Sequence, residues 1–122
     1  WGTDLDIFDA AAVPAGYRLQ LTPEEVAEDG LFGPLHAWLD ERIAAGEAQG
    51  FYRPYDRDRG GVAVERWHLS YAPGAIDCES LLTEAAVLEA LATCDLMLGG
   101  CVRDQLPALF KRYVCAVSPV PR

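Results

Sequence analysis

Apolar and polar positions change their period along this chain, and each period predicts an element. Residues 3–8 alternate, with Leu5 and Ile7 on one side and Asp4 and Asp6 on the other, which predicts a short strand. Residues 10–21, punctuated by Pro14 and Gly16, read as loop. Thr22-Pro23-Glu24-Glu25 has the form of a helix start, a cap followed by Pro and first-turn acids, and predicts a short helix ending near Gly30. Leu31, Phe32, Leu35, Leu39 and Ile43 recur at steps of three and four, so a helix is expected over 31–46, with Trp38 beside the stripe and Asp40, Glu41 and Glu47 on or near the other face. His36 falls next to that stripe and reads as a packed or surface histidine rather than a ligand. Residues 51–61 are a loop rich in Tyr, Arg, Asp and Gly; the β-branched and aromatic stretch 62–71 predicts a strand, ended by Pro73-Gly74. Beyond it Leu81, Leu82, Ala85, Leu88 and Leu91 give one amphipathic helix. Leu96 to about Gln105 gives a second, weakened by Gly99-Gly100, and Pro107 opens a third through Tyr113. Residues 114–117 are expected to form a last edge strand. The fold class is α+β, a small antiparallel sheet flanked by helices, as a single domain over 1–122.

Composition narrows the function classes. Ten basic against nineteen acidic residues give a net charge of −9, which argues against nucleic acid and anionic lipid as partners. An anionic substrate stays open, because one local cation can override the average field. No apolar run approaches the ~20 residues of a membrane helix. Cys78, Cys94, Cys101 and Cys115 contain no CxxC pair, so a cysteine zinc site is not expected. They read as buried free thiols in a helical core, with one disulfide open to them in an exported protein.

The chemistry concentrates in Glu65-Arg66-Trp67-His68. A carboxylate three residues before a histidine suits a catalytic base beside a metal ligand, and Asp6 is its natural partner. Zinc hydrolases use three protein ligands and an open position for water, whose pKa the metal lowers to about 7. A neighbouring carboxylate takes the water's proton and passes it to the leaving amine. One geometric difficulty stands. On an ideal strand positions 65 and 68 face opposite sides, so both reach one metal only if the strand bends, bulges or ends between them. Without further support Asp4 and Asp6 also read as a solvated strand edge.

Val64-Glu65-Arg66-Trp67-His68-Leu69-Ser70-Tyr71 resembles the Glu-x-Trp-His segment of the VanY-like zinc D-alanyl-D-alanine carboxypeptidases. Gly2-Thr3-Asp4-Leu5-Asp6 resembles the end of that family's other motif, Ser-x-His-x-x-Gly-x-Ala-x-Asp, and the two segments stand in the family's order. Leu35-His36-Ala37-Trp38-Leu39 and Asp58-Arg59-Gly60-Gly61-Val62 are similar to its intervening segments. The resemblance implies Asp6 and His68 as zinc ligands, Glu65 as general base, zinc as cofactor and an α+β fold. The implied reaction cleaves short peptidoglycan stem peptides, which puts the protein in the cell envelope or periplasm. Arg53, Arg57 and Arg59 are candidates to meet the substrate's terminal carboxylate, Arg59 first; the alternative is a solvated loop. Asp4 stands where the family often has Ala and is expected to face solvent. The family's first histidine would fall two positions before Trp1, so the chain matches the C-terminal part of a longer peptidase domain and is expected to be inactive alone. The alternative is a noncatalytic peptide- or cell-wall-binding module of the same fold.

Overall fold

A computed structural model describes residues 2–122; Trp1 lies outside them. The fold is α+β. Three strands, β1 (Asp4–Asp6), β2 (Phe51–Tyr52) and β3 (His68–Tyr71), form an antiparallel sheet in the order β1-β3-β2. Helix α1 (Gly33–Ala44) lies between β1 and β2 in sequence, and α2 (Ala72–Leu81), α3 (Glu84–Ala92), α4 (Gly99–Asp104) and α5 (Leu106–Leu109) follow β3. A π-helical turn, Phe110–Val114, continues α5. No described helix is long and apolar enough to cross a membrane.

Helix α1 forms where the apolar period predicts it, and Pro34 sits in its first turn, where a missing N–H costs nothing. Its buried stripe runs Phe32, His36, Leu39, so the histidine belongs to the core face. The chain ahead of it departs from expectation. Residues 22–30 make successive turns instead of a helix. The Glu25 carbonyl, which a helix would offer to Asp29, accepts from the Phe32 N–H at 2.7 Å. The Glu25 carboxylate accepts from the Tyr17 hydroxyl at 2.6 Å and from the Gln20 and Thr22 N–H groups. A residue with those partners folds the chain back on itself. Gly33 permits the return, since a Cβ there would meet the Ala27 carbonyl oxygen at 2.3 Å.

The expected strand over 62–71 is realised only from His68 onward. The Glu65 N–H donates to the Tyr55 carbonyl at 3.1 Å and the His68 N–H to the Glu65 carbonyl at 3.2 Å, so a turn occupies the stretch read as strand. Tyr52 and Ser70 face each other across β2 and β3, a short pairing inside the stretch read as loop. Pro73 and Gly74 do end β3, but they do so as the first turn of α2, with Tyr71 as its extended N-cap.

The apolar run after β3 is two helices, not one. Thr83 breaks it, its hydroxyl accepting the Ala86 N–H at 3.1 Å as the N-cap of α3. The helix expected from Leu96 begins at Gly99, because Leu98 is left-handed at φ 61. The helix at Pro107 is present, but 114–117 form no strand; the Cys115 N–H closes the π-helical turn on the Phe110 carbonyl. The core gathers at the sheet, with Tyr52, Ala72, Ala75 and Val120 packed together and Trp67, Leu69 and Leu106 also buried. Helix α3 has no buried residue. Cys94, Cys101 and Cys115 are exposed and Cys78 half-buried, all as free thiols, in place of the buried set expected.

Candidate metal and catalytic site

The register of β1 on β3 builds the site. Asp4 pairs with Ser70 and Asp6 with His68, and paired residues of antiparallel strands share a face. Asp4, Asp6, His68 and Ser70 therefore point to one side of the sheet, with Tyr52 beyond Ser70 on the same side. His68 Nδ1 lies 2.8 Å from Asp6 Oδ1, and Nε2 lies 3.8 Å from Asp4 Oδ1. The ring of Tyr55 packs on the imidazole, centroids 5.0 Å apart and tilted by 38°. The turn at 65–68 removes the parity difficulty: β3 starts at His68, so the strand alternation does not extend back to Glu65.

Electrostatics tie these groups together. Burial pushes the Tyr55 phenol above its ordinary value, and the charges of Asp4 and Glu65 push it further, which places both carboxylates within its field. Burial also works to raise Asp4, but the Ser70 hydroxyl and the neighbouring positive charges, His68 included, hold it below the usual carboxylate range. Asp4 thus engages Ser70 and approaches His68, with a side chain only 20% exposed, where the alternation had suggested a solvated edge. Thr3 Oγ1 lies 3.2 Å from Ser70 Oγ and extends the polar row.

The turn that carries Glu65 is clamped from behind. Asp40, on α1, pairs through Oδ2 with Arg66 at 2.5 Å and through Oδ1 with Arg53 at 2.9 Å. Arg66 also donates to the Val26 carbonyl, and Arg53 reaches His36 Nδ1 at 3.4 Å. One carboxylate thereby joins α1, the segment after β2 and the turn before β3. Arg53 is consequently structural. Arg59 donates to Asp56 at 2.5 Å and to Ser118 at 2.9 Å, and Arg57 is exposed. Arg59 must leave those partners before it can take a substrate carboxylate.

The donors match zinc in type and only partly in number. Asp6 Oδ1 and His68 Nδ1 are in direct hydrogen-bonding contact at 2.8 Å, short of the ~3.3 Å edge of a tetrahedron with ~2.0 Å bonds, so the pair would have to part to admit zinc. Asp4 sits at the ring's other nitrogen and so does not complete that set. Among the described residues no group of three His, Cys, Asp or Glu side chains is arranged to hold a metal. His36, buried at 0% exposure and packed on Arg53, takes no part.

Sequence reasoning missed Tyr55, Ser70 and Asp40. Ser70 was recoverable from alternation once His68 was placed, whereas Tyr55 and Asp40 reach the site through tertiary contacts that leave no local period. No family profile matches the chain, and no solved structure matches it. An uncharacterized protein of Haemophilus influenzae is 29% identical over 116 residues, which cover 93% of this chain and 86% of that protein.

Proposed function

We propose that this chain carries the base and two ligands of a VanY-like zinc peptidase that cleaves short peptidoglycan stem peptides in the cell envelope. The observation that supports the reading best is the facing pair Asp6 and His68, 2.8 Å apart, beside a turn that begins at Glu65. Bound there, zinc would supply an acidified water and polarise the scissile carbonyl. Asp6 and His68 hold the site; Glu65 takes the water's proton and returns it to the leaving amine. Tyr55 fixes the plane of His68 and covers one side of it. Zinc sites use three protein donors and this pair supplies two, so the chain is proposed to bind zinc weakly and to turn over little.

A noncatalytic peptide-binding module is the second reading, favoured by the two-donor count. Mass spectrometry of a D-alanyl-D-alanine-terminated stem peptide separates the two. The enzyme reading expects slow zinc-dependent loss of the terminal residue, abolished by Glu65→Ala with zinc retained. Intact peptide under those conditions, with peptide binding preserved, supports the module instead.

A further inference from the structure

We propose that α3 and the turn that follows it form a docking face for a cationic amphipathic helix of a partner protein. Seven of the nine residues of α3 are apolar, Glu84 and Glu89 being the exceptions, and at 100° per residue they fall on every side of the helix. A helix apolar all round belongs in a core, yet no residue of α3 is buried. Leu88 is exposed, and beyond the helix so are Leu96, Met97 and Leu98, with Met97 at 88%. Leu98 stands in the left-handed region at φ 61, a conformation that a leucine side chain resists. The strain accompanies two large apolar side chains left in water. An apolar helix and turn exposed in this way mark an interaction surface.

Charge selects the occupant. Between Arg66 and Arg103 the chain holds Asp77, Glu79, Glu84, Glu89 and Asp95 and no lysine or arginine. Among the described residues no cation pairs with Glu84, Glu89 or Asp95. Arg103, the next cation along the chain, turns back on the start of α4, its Nη1 3.2 Å from where a Gly99 Cβ would stand. Apolar side chains interspersed with three such carboxylates are complemented by leucine-type side chains flanked by lysine or arginine. A helix presents both, at steps of three and four. The unbranched Met97 thioether adapts to the shape of such a partner. A second copy fits less well. In a two-fold contact this face meets itself, so Glu84, Glu89 and Asp95 confront like charges on chains that each carry −9. Asp6, Glu65 and His68 take no part in this face, so the proposal stands apart from the peptidase reading.

The test titrates a designed peptide, Leu-Lys-Lys-Leu-Leu-Lys-Leu repeated twice, into the protein, followed by calorimetry and amide NMR. Two control peptides replace every Lys by Glu or every Leu by Ser. The leucine-lysine peptide is expected to shift the amides of 84–98 and to bind at least about tenfold tighter than either control, because it alone supplies both the apolar stripe and the cations. Leu88→Ser with Met97→Ser should weaken it at least about tenfold. Both side chains are exposed, so circular dichroism should be unchanged. Glu89→Gln with Asp95→Asn should weaken it too and flatten its salt dependence, which a purely apolar contact would not show. Three results overturn the proposal. The first is equal binding of the lysine and glutamate peptides. The second is a set of shifts spread over the other acidic surfaces and indifferent to Leu88→Ser with Met97→Ser. The third is sedimentation of the protein alone as a dimer that the same double substitution dissociates, which assigns the face to a second copy.

Discussion

At the scale of single residues, His36 shows what burial does to a titratable group. Burial, followed by the charges of Arg53 and Arg66, lowers its pKa from 6.5 to about 4, with Asp40 opposing. Between those values the unfolded chain binds a proton that the folded chain refuses, so stability is full above about 6.5 and falls as pH drops toward 4. Denaturant melts at pH 7.5 and 4.5 should differ by up to about 2 kcal/mol from this residue. His36→Gln should remove that share of the difference; an unchanged pH dependence would contradict it. His36 was legible as a packed histidine, but its guanidinium neighbours were not, because Arg53 and Arg66 come from distant segments. The same limit explains Asp4. Its alternation with Leu5 was readable, while the Ser70 and His68 side chains it meets depend on a strand register that no local pattern encodes.

At the scale of elements, local signals predicted helix α1 and the Pro107 helix, whose hydrogen bonds stay local, from apolar steps and proline placement; they also predicted β1 from alternation, although its partners on β3 are distant. Expectation failed where a competing partner outside the regular helix or strand pattern took over a backbone or side-chain group, as at Glu25 and Glu65. Thr83-Glu84 was a missed cap, readable in principle inside the apolar run. Thr83→Ala should cost about 1 kcal/mol and loosen α3 alone, measured by hydrogen exchange of its amides. The Asp40 clamp belongs to this scale too. Asp40→Ala leaves the buried Arg53 without its carboxylate and frees Arg66, and should cost roughly 2 kcal/mol, discounted because Asp40 itself is half-exposed. If the clamp positions the turn, zinc affinity should fall with stability, and Asp40→Glu should recover part of both. A loss of stability with zinc affinity unchanged would make the clamp purely structural.

At the scale of the whole molecule, the core lies against the sheet and thins toward the later helices. Protection from exchange should therefore be greatest in β3 and α2 and least in α3. The small antiparallel sheet with helices was legible as a class; the arrangement β1-β3-β2 was not, since a two-residue strand at Phe51–Tyr52 carries no period. The acidic balance of −9 surrounds a site that is itself built from carboxylates, a field suited to attracting a cation. The account stands on Asp6 and His68 holding that cation while Glu65 serves as base. Its most direct test is a zinc titration of the wild-type chain and of Asp6→Ala, His68→Ala and Glu65→Ala, with folding checked by circular dichroism. The account predicts one weak site, weakened at least about tenfold further by Asp6→Ala and by His68→Ala and left unchanged by Glu65→Ala. Zinc binding indifferent to Asp6 and His68, or lost with Glu65, would contradict it.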